Sequence, residues 1–296
     1  MRTRSRHDTR GAAPQKEETM SNRIIDRFPR SESSTPPSGR VVVLKFGSSV
    51  LPSERHLHIA IHEIRRRLDE GARVVAVVSA LGSTTDDLLE HANAGGPAEP
   101  EALAAFLATG EARATSLLGL ALHRAGVPAH VLDSAGIGLR THGPVLDADA
   151  FLLDSTNIRK ALNSRPVLVV PGFVGRDELG RITLLGRGGS DLTALFIAAE
   201  LGAECVLLKD VDGLYDRDPN ERADARRYER ASFDAVLALD EGIVQHKAVR
   251  FARWRRLPFV VTRVGATRST LVHAGDTVQA PLGERAELRD AAQAVA

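Results

Sequence analysis

Apolar and polar positions along the chain switch repeatedly between a strand-like and a helix-like period. Residues 41–46, VVVLKF, form a short apolar, β-branched run of the kind buried on both faces of a sheet. Leu57, Ile61, Ile64 and Leu68 then recur at helical spacing across 56–70, and RVVAVVSA returns to a buried-strand pattern. TTDDLLEHANAG opens with capping-type residues and predicts a helix, as does the longer stretch at about 101–125. PAHVLD predicts a strand, 149–163 a helix and RPVLVVPG a strand. FVGRDELGRITLLG alternates about a polar, glycine-containing turn and predicts a hairpin. A helix at about 189–202, a strand at ECVLLKDV, helices at about 232–239 and 246–256, and a strand at PFVVT complete the series. Strands alternating with helices predict an α/β chain with a mainly parallel sheet covered by helices on both faces, a three-layer sandwich. With no internal repeat or inner boundary, residues 39–277 read as one domain.

Such sheets take ligands beyond the carboxyl ends of their strands, so chemistry is expected in the loops that follow strands. Lys45 sits near the end of the first strand, followed by Gly47, Ser48 and Ser49, a glycine and two hydroxyls suited to an anion. A snorkelling lysine and a plain turn are the alternative there, and the GxxxxGK[ST] loop is absent. In LLGRGGSDLTA, Arg187, Gly188, Gly189, Ser190 and Asp191 stand at the mouth of a helix, where free N–H groups and a two-point arginine grip favour phosphate or carboxylate. A tight turn capped by Ser190 or Asp191 is the plainer reading. LLKDVDGLYDRDPN ends a strand in Lys209, Asp210, Asp212, Gly213 and Tyr215. The acids could hold Mg²⁺ through water, and an exposed tyrosine could pack on a nucleotide's adenine or ribose. Glu111 follows Gly110 in FLATGEARATSLLG, and Ser79, Ser83, Thr84 and Thr85 follow the second strand. Each of these also suits helix-end compensation or capping.

Composition narrows the field. Lys and Arg total 39 against 38 Asp and Glu, and aromatics are 4%, which argues against a nucleic-acid partner. One cysteine, Cys205, cannot form an internal disulfide, which fits a reducing cytoplasm, and its apolar setting reads as an inert core thiol. No apolar run approaches the ~20 residues of a membrane span. His58 and His62 are four apart on one helix without a third ligand, and no metal site is assigned. HKAVRFARWRRL, 246–257, reads as a solvated basic helix face, with Lys247 or Arg250 able to reach phosphates. Residues 1–38 are polar and Ser/Pro-rich, which predicts a disordered tail, and 278–296 predict a frayed C-terminal tail. Translation from Met20 in place of Met1 is an open alternative.

In this order these stretches resemble the amino-acid kinase superfamily, and within it the aspartate kinases, across about residues 41–275. VVSALGSTTDDLL, FLATGE, VVPGFVG…GRITLLGRGGSD and DVDGLYDRDP carry the likeness. It implies the amino-acid kinase fold, a role in amino-acid biosynthesis, and ATP with Mg²⁺ phosphorylating an amino-acid carboxylate, L-aspartate to 4-phospho-L-aspartate. It also implies catalytic Lys45 and Asp191, with Asp191 orienting the lysines, and phosphate contacts from Gly47, Ser48, Ser49, Gly188 and Gly189; Lys209 is expected as the third catalytic residue on its own position, not from the likeness. Ser79, Thr85, Glu111, Arg187 and Ser190 would hold the amino acid, and Asp210 and Tyr215 would meet the nucleotide; Lys247 is expected at the nucleotide from its basic helix, not from the likeness. A homodimer is the implied assembly.

Three departures stand out. KFGSSV lacks a glycine of the aspartokinase KFGG[ST]S and resembles glutamate 5-kinases there, which keeps a glutamate kinase as the alternative. The family's late lysine aligns with Ile243 and its proline with Lys247, while a family threonine is Lys209, a point closer to uridylate kinases. The family arginine after the Asp-Pro pair is Asn220. Lys209 or Lys247 is therefore expected to replace the lost cation, and a degenerate, non-catalytic regulatory homologue is a further alternative. About twenty residues follow Gly275, too few for the family's regulatory ACT domains, so no response to lysine or threonine is expected.

Overall fold

Thirteen strands and seven helices organise the computed structural model, which describes residues 39–219, 221–222, 224–239 and 243–281. The expected N-terminal tail, both candidate start methionines, Asn220 and most of the expected C-terminal tail lie outside the described residues. In chain order the elements are β1 (Val41–Phe46), α1 (Leu57–Asp69), β2 (Arg73–Val78), α2 (Thr84–Asn93), α3 (Pro100–Arg124), β3 (Ala129–Val131), β4 (Leu139–His142), β5 (Asp149–Leu153) and α4 (Thr156–Ser164). There follow β6 (Val167–Pro171), β7 (Val174–Arg176), β8 (Ile182–Leu184), α5 (Gly189–Leu201), β9 (Glu204–Lys209), β10 (Tyr228–Ser232), α6 (Phe233–Leu237), α7 (His246–Arg255), β11 (Phe259–Arg263), β12 (Thr270–His273) and β13 (Val278–Gln279).

The main sheet runs β13-β10-β12-β11-β9-β1-β2-β6-β3, with β11 through β3 all parallel. Central strands buried on both faces read as continuous apolar runs, which is why VVVLKF and RVVAVV were recognisable. Period two divides their side chains between two cores. Val41, Val43, Val75, Val77, Cys205 and Leu207 pack with α4, α5, α6 and α7. Val42, Leu44, Phe46, Val74, Ala76, Val206 and Leu208 pack with α1 and the second half of α3. This is the expected three-layer sandwich. α5 is buried almost all round, between the sheet and α7, where Phe196 stacks on Phe251 at 4.0 Å. A second sheet, β5-β4-β7-β8, contains the expected hairpin and packs against α2 and the first half of α3.

Two expectations are corrected. Residues 149–163 are not one helix: Asp149–Leu153 pair with β4, and α4 begins only at Thr156. The Asp154 carboxylate accepts the Thr156 N–H at 3.0 Å, a local turn that stops the strand and opens the helix. Ile158, Ala161 and Leu162 alone carry the helical stripe. Nor does the packed chain end at 277: β13 pairs antiparallel with β10, and Ala280 is buried.

Candidate active site

Strand parity delivers the charged side chains to one place. The α5-facing positions of β1, β2 and β9 are 41/43, 75/77 and 205/207. Two residues further along each strand, the same face presents Lys45, Ser79 and Lys209 at the carboxyl ends. α5 lies across that face and starts beside those strand tips, so its first turn brings Asp191 to the lysines. Lys209 Nζ donates to Asp191 Oδ2 at 2.8 Å, and Lys45 Nζ forms an ion pair with Oδ1 at 2.9 Å. None of the three is more than 9% exposed. Burial alone would raise the Asp191 carboxyl, but the ammonium groups of Lys209 and Lys45 outweigh it and hold it down to about 2. Burial also lowers Lys209, opposed by Asp191. The result is a fixed anion between two cations, with one net positive charge at the mouth of a helix whose dipole is itself positive there.

The loop into α5 explains its glycines. Gly188 caps the helix at φ +70°, and a Cβ on it would lie 2.3 Å from Gln245 Cβ, so only glycine fits. Beyond the loop is a cavity of about 190 Å³ lined by Lys45, Ser79, Thr85, Glu111, Phe173, Gly188, Gly189 and Ser190. Glu111 stands opposite in kind to the lysine. It is 2% exposed; Oε1 accepts the Ala80 N–H at 3.2 Å, and Oε2 has no hydrogen-bond partner among the described residues. Burial raises its carboxyl to about 7. The reading of Glu111 as a helix-dipole residue is corrected: it lies in the interior of α3, far from either end.

The match to known proteins follows the same outline. A model of the amino acid kinase family matches residues 40–261. The chain belongs to the amino acid kinase family. Among its relatives, the aspartokinase of Geobacillus stearothermophilus is 37% identical over 228 residues, 75% of this chain and 56% of that protein. The chain thus spans about half the length of the curated relatives it matches. The crystal structure of aspartate kinase from Synechocystis superposes with a TM-score of 0.67 at 28% identity, covering 82% of this chain and 42% of that one. E. coli aspartokinase III, in complex with aspartate and ADP, has the same fold at a TM-score of 0.67 and 20% identity, covering 80% of this chain and 65% of that one.

Of the residues expected at the site, Lys45, Asp191 and Lys209 form one network, and Ser79, Thr85, Glu111, Gly188, Gly189 and Ser190 share the cavity. Gly47 follows β1 directly, with Ser48 and Ser49 exposed in the next turn. Arg187 is exposed in the glycine loop, outside the cavity lining, and Asp210 is exposed at the tip of β9. Two expectations change on geometry, Tyr215 as an open platform and Lys247 as a third member of the lysine pair. Tyr215 is buried, not exposed, and donates to Asp212 at 2.6 Å, so its ring is no open platform for a base. Lys247 does not join the lysine pair; its ammonium is 3.1 Å from both Asp147 and Asp149. Sequence reasoning missed Phe173 and Arg263. Phe173 holds φ +67°, costly for an aromatic residue, with its N–H on Thr193 Oγ1 at 3.2 Å. The hairpin pattern masked it, although a bulky residue directly after a strand-ending glycine was a signal. Arg263 pairs with Lys209 across β11 and β9, at a position period two aligns with Phe259 and Val261. A cation ending an apolar strand, as at Lys45 and Lys209, was its signal.

Asp191→Ala leaves two ammonium groups buried together and is expected to cost about 3–5 kcal/mol in urea unfolding at pH 7. Because the folded carboxyl lies below its unfolded value of 3.8, the charge-linked part of that contribution, about 2 kcal/mol, is present above about pH 4 and is progressively lost as pH falls through 2, so the gap between wild type and variant should narrow there. Glu111 runs the other way. Its folded value of about 7 exceeds the unfolded 4.5, so its stability contribution is complete below 4.5 and is lost as pH rises through 7. Glu111→Gln, which keeps an acceptor for Ala80, should match wild type near pH 4.5 and exceed it at pH 8.5 by up to about 3 kcal/mol in the same measurement.

Proposed function

We propose that the chain transfers the γ-phosphoryl group of ATP to the side-chain carboxylate of L-aspartate, giving 4-phospho-L-aspartate and ADP. One observation carries this reading: a single cavity joins the Lys45 ammonium to a buried acid, Glu111, whose Oε2 accepts nothing from the described residues. An α-ammonium group is the donor that this oxygen lacks, and it would place the amino acid's other end toward the lysines. The aspartokinase relatives support aspartate as the amino acid.

In the reaction, a carboxylate oxygen attacks the γ-phosphorus, the bond to the β–γ bridging oxygen breaks, and ADP leaves with that electron pair. No proton moves, because the nucleophile is already ionised at neutral pH. Asp191, held near 2 and fixed between two lysines, therefore acts as a positioning anion, not a base. Lys45 and Lys209 meet the charge on the transferring oxygens. The Gly47–Ser49 turn and the Gly188–Ser190 helix entry offer donors to phosphate. Ser79 and Thr85 border the amino acid, and Arg187, on the exposed loop, reaches its α-carboxylate. Asp210 faces the nucleotide from the tip of β9. No three acids, cysteines or histidines gather as a metal cage among the described residues, which suits Mg²⁺ arriving on the nucleotide's own phosphates with Asp210 as the nearby carboxylate. When bound, the ion neutralises phosphate charge.

Trapping with hydroxylamine tests the reaction: ATP-dependent hydroxamate is expected from aspartate. Preference for glutamate would move the assignment to a glutamate 5-kinase, and no hydroxamate from either acid despite ATP binding would leave a non-catalytic homologue. The KM for aspartate should fall between pH 6 and 8 as Glu111 ionises in the free protein. Glu111→Gln should flatten that slope and raise KM roughly 10- to 100-fold, the value of a charged hydrogen bond. Lys45→Ala and Lys209→Ala should each lower kcat by about 10²–10³. Full activity in Lys209→Ala would show that the family's missing lysine has no substitute there.

A further inference from the structure

α7 meets the glycine loop at both of its ends. At one, Gln245 packs its Cβ and Cγ over Gly188. At the other, the Lys247 ammonium donates to the Leu185 carbonyl at 3.2 Å and to the Ala148 carbonyl at 2.9 Å, while pairing with Asp147 and Asp149, both at 3.1 Å. These partners are not independent of one another. Ala148 N–H is bonded to the Leu184 carbonyl at 2.7 Å, so the 147–149 segment already crosses the end of β8. Gly186, at φ +71°, brings its Cα so close to Asp147 that a Cβ would lie 2.1 Å from Oδ1. One ammonium therefore ties three segments together at the point where β8 gives way to the loop that carries Arg187, Gly188 and Gly189.

We propose that Lys247 is a positioning residue: it fastens the Leu185–Gly188 loop to the 147–149 segment and α7, and so fixes the height of Arg187 and of the α5 N-terminus over the cavity. The charge is used up within the fold, on two carboxylates and two carbonyls, instead of on a nucleotide. A lysine is suited to this because its ammonium donates in three directions from a long stem. Misplacing the loop by an ångström is enough to cost substrate binding without altering the reacting groups.

The kinetic arm rests on the kinase reading above; the exchange arm does not. In Lys247→Met, which keeps the length and removes the charge, amide hydrogen exchange at 185–189 should accelerate at least about tenfold while exchange in β1 and β9 stays at the wild-type rate. The KM for aspartate should rise about tenfold with kcat within about threefold, and Lys247→Arg should recover most of the difference. Asp147→Asn with Asp149→Asn removes the acidic partners and leaves the ammonium in place. It should reproduce the loss if Lys247 is a fastening, and should leave or improve activity if Lys247 serves nucleotide phosphates. Unchanged exchange at 185–189 in Lys247→Met overturns the proposal. So does acceleration spread evenly over the sheet, since that reports general destabilisation. A wild-type chain that makes no hydroxamate, alongside loop-specific acceleration in the variant, would remove the kinase reading and keep the fastening.

Discussion

Two lysines and an aspartate cannot be removed from water separately. Each ammonium carries a desolvation penalty of several kcal/mol, offset only because Asp191 is held within 2.8–2.9 Å of both. That requirement fixes much else. Asp191 must occupy the first turn of α5, so α5 must begin where β1 and β9 end, and the chain before it must turn sharply enough to need Gly188 in the left-handed region. The helix itself is apolar nearly all round, so the sheet and α7 hold it from both sides and its polar entry has one place to go.

The surplus positive charge of this network faces a cavity whose far wall is a buried acid raised to about 7, so that it is only partly ionised near neutral pH. Glu111 and Asp191 are both buried carboxylates, and their environments push them in opposite directions, to about 7 and about 2. The difference is partners: two ammonium groups for one, a single backbone N–H for the other. On the proposed reading, a ligand bearing an ammonium and a carboxylate joined by a short chain would meet both walls, and its ammonium would supply the cation that Glu111 lacks. The site is therefore tuned by what is absent from one wall and saturated on the other.

Much of this was legible in the chain before any coordinates. Apolar runs ending in Lys45 and Lys209 announced strands with charged tips, and Arg-Gly-Gly-Ser-Asp announced a helix mouth. Both signals are local, and they were preserved because the central strands are buried on both faces. What was not legible depended on long-range placement. DAFLL reads equally as helix or strand until β4 is beside it, and Asp154 decides the matter only once its turn has formed. Tyr215 stands in a polar turn that looks exposed in sequence. Its burial follows from the hydroxyl finding Asp212 and its backbone bridging to Arg227. The surroundings of Lys247 were hidden for the same reason: a helix-borne lysine carries no mark of which carboxylates will surround it.

On the proposed reading, Lys209 supplies the cation that Ile243 does not, so what matters is how many cations reach the site, not which position supplies them. Phosphoryl transfer needs cations around the moving group, and the sheet offers several strand tips from which to supply them. β1 and β9 are adjacent, and Lys209 lies two residues past the partner of Lys45, on the same face. Any cation at that position is delivered to Asp191 by parity alone, without a change of backbone. Ile243, on the segment before α7, carries no charge and packs against the core. Lys247, four residues on, is tied to Asp147, Asp149 and the loop carbonyls. The strand tips thus hold the cations of the network, and the helix beside them is bound to the loop instead.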